Sequence, residues 1–295
     1  MNPAVVFEQE RDSVWRAAYA ITGVAQDADD VVQDTFIRLL NTQPSTERPL
    51  RPWLRTVAAN LSRDRLRQRK RRAYRGPWLP SPVGIGNVPP GGRSLPADLP
   101  ELPDARMLRA ESVHFAWLLV LEALTATQRT VLVLRDVLGC STRETAAALN
   151  ITDNVVKVTL HRARKTVTAE HSPPQDCDNT PIIGALLQAL ATADVDGIVA
   201  LLHPQATFDS DSNGQVTAAG VPLMGAERIA RVLVHIQQRG VLQSLDLTPL
   251  GSLSALAIAT TSTIPNWPKR SVLVVDIRDG LIHHMWSQLN PAKLT

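Results

Sequence analysis

Cysteine is almost missing from this chain: Cys140 and Cys177 are the only two in 295 residues. That excludes a disulfide framework, and free thiols in a reducing cytosol are the expectation. Long apolar runs are missing too. No stretch approaches the ~18 residues that a membrane helix needs, and no basic-then-apolar leader opens the chain. A soluble, cytoplasmic protein with no membrane partner is expected. Nor does any spacing of His, Cys, Asp or Glu define a metal or catalytic site, so no metal, no cofactor and no enzymatic activity are expected.

Net charge is only +3, but its distribution is uneven. Residues 1–75 hold 14 Lys/Arg against 9 Asp/Glu, while residues 176–295 hold 7 against 10. A basic front and a mildly acidic tail suggest nucleic-acid binding followed by a part with another task. At this length about two domains are expected.

The densest local information lies in Ser141–Lys165. Thr125-Ala-Thr-Gln128 and Ser141-Thr-Arg-Glu144 both fit the capping box, in which a hydroxyl takes an orphan N–H and a Gln or Glu reaches back. Gly139 stands where a left-handed cap would follow the apolar run Val131–Leu138. Asn150-Ile-Thr makes a turn, with Thr152 as N-cap and Asp153 favourable in the first helical turn. In the helix that follows, Val156, Leu160, Ala163 and Val167 recur at helical spacing as the buried stripe. The opposite face carries Asn154, Lys157, His161, Arg164 and Lys165, with Arg162 beside it and Arg143 on the helix before. An ordinary solvated basic face is the plain alternative. Two capped helices in tandem, with the small run Ala146–Ala148 between them for close packing, favour a helix-turn-helix that enters the major groove.

Upstream, residues 10–72 read as three helices. Val14, Ala17, Ala18 and Ile21 share a face that ends at Gly23. A second helix starts near Asp27, with Val32, Phe36 and Leu39 inward and Asp29, Asp30, Gln33 and Asp34 outward, Arg38 lying in its last turn. A third starts at Pro52, with Leu54, Val57, Ala58 and Leu61 inward, and runs into SRDRLRQRKRR. Eight cations fall within residues 63–75, Asp64 being the one acid among them; such density suits phosphate neutralisation. Residues 76–103 then hold eight of the chain's 21 prolines, the signature of an extended linker. Within it Trp78, Leu79, Pro80 and Pro82 form a rigid apolar tag, suited either to docking or to local packing. Beyond a break at 171–180, helices are expected at 182–193, 195–202 and 227–238. Strands are expected at 255–263, 271–278 and 281–288, with Asp279-Gly280 as a hairpin turn. Helices followed by an antiparallel sheet make a separate α+β domain.

Taken together, DADDVVQDTFIRLL (27–40), RPWLRTVAANLSRDRLR (51–67) and the TRETAAALNIT…VKVTLHRARK helix-turn-helix resemble the sigma-70 family in its short, extracytoplasmic-function form. Residues 181–295 resemble the SnoaL-like, NTF2-like cone. A subgroup of these sigma factors carries that cone fused at the C-terminus, marked by a WLPxP linker motif, here WLPSP (78–82), and a terminal NPxKL, here NPAKL (290–294). The subgroup's Asp-Gly-Gly-Gly-Lys turn is replaced by Asp211-Ser-Asn-Gly-Gln215. The resemblance implies a multidomain fold: all-α region 2 over 1–75, a linker over 76–103, all-α region 4 over 104–170 with its helix-turn-helix at 141–165, and an α+β NTF2-like cone over 181–295.

It also implies roles. Asp29, Asp30, Gln33, Asp34 and Arg38 would meet the β′ clamp of the RNA polymerase core, and region 4 the β flap. Trp53, Arg55, Asn60, Arg63, Arg65 and Arg67 would melt and read the −10 element, Asn60 supplying the polar edge for a flipped base. Lys157, His161 and Arg164 would enter the −35 groove, with Arg162 and Lys165 on phosphates. The fused cone would regulate the factor through Trp78–Pro82, with no separate anti-sigma factor required and a small ligand as a candidate effector. Two rivals remain at this point. One is a stand-alone helix-turn-helix regulator that senses a ligand in the cone. The other is a SnoaL-like enzyme using His203, Asp209, Asp211, His283, His284 or Trp286; His283 and His284, adjacent on a strand, face opposite sides and cannot line one pocket.

Overall fold

The computed structural model describes residues 3–42, 50–71, 74–83, 113–170, 178–250 and 253–294. They cluster into two units: one from residues 3–42, 50–71 and 116–170, the other from residues 74–83, 113–115, 178–250 and 253–294.

The first unit is all helical. Helices α1 (Pro3–Thr22), α2 (Ala25–Thr42) and α3 (Leu50–Arg71) pack on one another. Val14, Ala17, Ala18 and Ile21 are buried as their spacing predicts, joined by Trp15 and Tyr19, whose rings stack at 5.1 Å. Helix α2 begins two residues before Asp27, so that carboxylate sits in the first turn and not at the cap. On α3 the buried set is Leu54, Ala58, Ala59, Ser62 and Leu66, while Val57 and Leu61 are half-buried. The stripe is rotated from its sequence expectation because α3 also packs on α5 and α6, introduced next.

Helix α4 (Val113–Leu121) leads to α5 (Ala126–Leu132), which passes into a π-helical turn at Val133–Val137. Helices α6 (Thr142–Leu149) and α7 (Asp153–Glu170) form the helix-turn-helix. Both capping boxes are present, Thr125 with Gln128 and Ser141 with Glu144. Asn150 takes the left-handed conformation at φ 53°, where a short polar side chain is tolerated, and closes α6. Thr152 Oγ1 accepts from the Val155 amide. Val156, Leu160 and Ala163 are buried on α7, and Val167 is half-buried in its last turn.

The second unit is the expected α+β cone. Helices α8 (Thr180–Ala191), α9 (Val195–Leu201) and α10 (Ala226–Gln237) cover one face of a six-stranded sheet of order β2-β1-β6-β5-β4-β3. The strands are β1 (Leu202–Asp211), β2 (Leu223–Met224), β3 (Val241–Leu250), β4 (Leu253–Thr261), β5 (Arg270–Arg278) and β6 (Leu281–Gln288). All neighbours are antiparallel except β1 with β6. Asp279 and Gly280 both take positive φ, the type I′ geometry that matches strand twist. The side toward the helices is a packed apolar core that includes Ile183, Leu186, Phe208, Ile229, Leu273, Val275 and Met285.

Candidate nucleic-acid interface

Helix α7 carries an exposed row of Asn154, Lys157, His161, Arg162 and Lys165, with Arg143 exposed on α6. The row exists because the buried stripe of α7 takes every third or fourth position and leaves the polar ones outside. Arg164 departs from its expected place. Its guanidinium forks onto Asp136 of the π turn at 2.9 and 2.7 Å and so ties α7 to the turn that continues α5.

The α3 residues also differ from a free DNA-facing row. Arg65 turns back onto α2, donating to Asp30 and Asp34 at 2.9 Å each. Burial works against its charge, yet the hydrogen bonds to Asp34 and Asp30 outweigh it and raise its pKa. Two of the acids expected on the core-binding face are therefore shared with Arg65. Asp29 in turn accepts from Trp15 Nε1 at 2.9 Å. Gln33 and Arg38 are exposed.

Asn60 Nδ2 donates to Thr56 O at 3.0 Å and to Ala148 O at 2.8 Å. Arg55 Nη1 donates to Leu138 O at 3.1 Å. Trp53 is half-buried, and Arg67 is exposed. The pKa of Arg63 is lowered, first by burial and then by the neighbouring Arg67. Nearby, Arg69 Nη2 donates to both carboxylate oxygens of Glu122 at 2.8 and 2.7 Å, and Arg129, wholly buried, donates to the same carboxylate and to Ala20 O.

In the second unit the proline-rich tag lies against the outer side of the sheet. Asp211, fully buried at the end of β1, accepts from Tyr74 OH at 2.5 Å, the Leu79 amide at 2.8 Å and Lys293 Nζ at 2.6 Å. Lys293 also donates to Leu79 O and lies 4.2 Å from the Trp78 ring centre. Gln288 Nε2 donates to Leu79 O and Pro80 O. Leu79, Pro80 and Pro82 are buried and Trp78 is half-buried. Of the altered loop, Asp211 centres the clasp, Asn213 accepts from the Arg75 amide at 3.3 Å, and Gln215 donates to Asn290 at 3.4 Å. The buried role of Lys293 was missed in the sequence, although the NPAKL motif marks its place.

The acid–base candidates of the cone fall into separate groups rather than one. His203 stacks on His283 at 4.3 Å, His284 stacks on Trp286 and meets Asp209 at 2.8 Å, and Asp211 is taken by the clasp. Among the described residues no cluster of three or more His, Cys, Asp or Glu side chains is placed to hold a metal.

Sigma-70 region 2 matches residues 6–72 and sigma-70, region 4 matches residues 114–167. The chain is 31% identical to the ECF RNA polymerase sigma factor SigJ of Mycobacterium tuberculosis, over 98% of this chain and 92% of that protein. The chain belongs to the extracytoplasmic-function sigma factors. The crystal structure of that SigJ overlays with a TM-score of 0.68 at 29% identity, covering 98% of this chain and 97% of the other. SigG of the same organism is 28% identical over 68% of this chain and 59% of its own length. With the family shown, α1–α3 are region 2 and α4–α7 region 4 of a sigma factor, followed by an α+β unit. Sigma factors of this family are initiation factors rather than catalysts. Among the described residues, no helix is long and apolar enough to cross a membrane.

Proposed function

We propose that this sigma factor brings RNA polymerase core to its own promoters, reading the −35 element with Lys157, His161 and neighbouring α7 residues. Region 2 opens and reads the −10 element with the α3 face that holds Trp53, Arg55, Asn60 and Arg63. The exposed, cation-bearing row of α7 beside a doubly capped helix-turn-helix carries this reading. Arg164 and Arg65 act as positioning residues within their own regions. The acidic α2 face, Asp30 and Asp34 with Gln33 and Arg38, meets the core enzyme, where charge complementarity steers docking.

The fused cone modulates this activity through residues 74–83, in place of a separate anti-sigma factor. The clasp on Asp211 supports that route, because a buried carboxylate with four donors fixes the tag in one geometry.

The test is in vitro transcription from genomic fragments with core polymerase at near-physiological salt. Specific transcripts arising only with the full chain are expected, and deletion of 181–295 then gives the sign of regulation. No transcript with either the full or the truncated chain would refute the reading.

A further inference from the structure

We propose that Val155 and Val158 of α7 read thymine methyl groups in the −35 element. This rests on the reading of α7 as the −35 helix, and it names the bases that the helix selects.

Two exposed valines stand where the fold has no use for them. Val155 is 43% exposed and Val158 42%, whereas Val156 between them is fully buried. At about 100° per residue, Val158 lies roughly 160–220° around the helix from each of Val156, Leu160 and Ala163. It therefore occupies the middle of the outward face, and Val155, one turn earlier, extends the apolar strip toward the start of α7. A β-branched residue on an exposed helix face lowers helix propensity and gains nothing from the core.

The local structure fixes which way the pair points. Thr152 Oγ1 accepts from the Val155 amide at 3.3 Å, and Asn150 closes α6 in the left-handed conformation. Helix α7 cannot roll the valines inward without bringing Val156 and Ala163, both fully buried, out into water.

The surroundings decide what meets the strip. Asn154, Lys157, His161, Arg162 and Lys165 are all exposed around it. Cations draw such a face onto the phosphates that border a groove, and the first turns of a recognition helix then meet base edges. A protein groove for two valines would have to desolvate that ring of cations, whereas DNA pairs them. The one apolar group on the floor of the major groove is the C5 methyl of thymine; the other bases present acceptors and amines there. Helical neighbours three residues apart are separated by about 5–6 Å. Base pairs stack every ~3.4 Å, so the two valines reach methyls one or two steps apart.

The test uses the full chain with core RNA polymerase on a promoter found by the genomic-fragment assay, its −35 region randomised. Thymine, on either strand, should be enriched at two positions one or two steps apart. Each enriched thymine is then replaced by deoxyuridine, which removes the methyl and leaves every hydrogen-bonding group in place. At limiting holoenzyme, each replacement should lower wild-type output about fourfold, the equivalent of one buried methyl. Val158→Ala should be indifferent to deoxyuridine at one of the two positions, and Val155→Ala at the other. Alanine favours a helix more than valine does, so a loss in either variant is not unfolding.

Enriched positions without thymine, or equal wild-type output on thymine and deoxyuridine, would overturn the methyl contact and leave α7 as the −35 reader. Variants as sensitive to deoxyuridine as the wild type would overturn it too, and an equal loss on both templates would put the valines on a protein partner. A randomised −35 region with no base preference would remove the −35 reading itself, and the contact with it.

Discussion

Replacing Asp211 by Ala should release the proline-rich tag from the cone. The carboxylate is fully buried and meets Lys293 at 2.6 Å, Tyr74 OH at 2.5 Å, the Leu79 amide at 2.8 Å and Gln288 at 3.3 Å. Truncating one side of a buried ion pair leaves an uncompensated charge and typically costs about 3–5 kcal/mol. Lys293 keeps Leu79 O, Tyr74 OH and the Trp78 face, which places the expected loss near the low end, about 3 kcal/mol. For a unit of this size that corresponds to a melting point lower by roughly 10 °C. The sharper readout is the Leu79 amide, whose acceptor is Asp211 itself. Its hydrogen exchange should accelerate by about a hundredfold, since each 1.4 kcal/mol is about a factor of ten. Lys293→Met should cost less, because Asp211 keeps three donors. The double variant should be more stable than the sum of the singles, because neither charge is then left alone. A destabilisation of Asp211→Ala under about 1 kcal/mol with Leu79 still protected would refute the reasoning.

Arg164→Ala and Asp136→Ala should each destabilise the helix-turn-helix by about 1 kcal/mol, and the pair should be non-additive in a thermal cycle; loss of promoter discrimination at undiminished stability would return Arg164 to the groove. The His283 pKa is lowered, first by burial and then by His203 and Arg278. The unfolded chain therefore takes up that proton first, and the cone should lose stability as pH falls below about 6.5. His283→Asn should flatten that acid limb in denaturant titrations between pH 7 and 5; an unchanged limb would discount the histidine stack.

The helix-turn-helix was legible because its determinants are local. Capping boxes, a left-handed Asn150 and a stripe at helical spacing all act within a few residues, and each stands where the sequence puts it. The β4, β5 and β6 strands were legible for the same reason, as alternating or continuous apolar runs joined by Asp279-Gly280. Strands β1 and β3 were not. Both contain a proline, Pro204 and Pro249, and β3 is an edge strand with Leu242 and Leu247 exposed, so neither carries a clean period-two pattern.

Side-chain direction was the other blind spot. Arg65 and Arg164 sit in cation-rich stretches that look alike in sequence, yet one faces three acids of α2 and the other the π turn. A long, flexible cation goes to a carboxylate within its reach, and which carboxylate that is depends on helix packing.

The sequence by itself determined which family this is, where its helices begin and which face of α7 is polar. Those properties follow from short-range hydrogen bonding and apolar periodicity, which the chain carries wherever it folds. Only the tertiary structure decided that Asp211 and Lys293, 82 residues apart, share one buried site, and that Asn60 meets Ala148. Buried polar groups must find partners, and the partner is whatever group folding brings within about 3 Å.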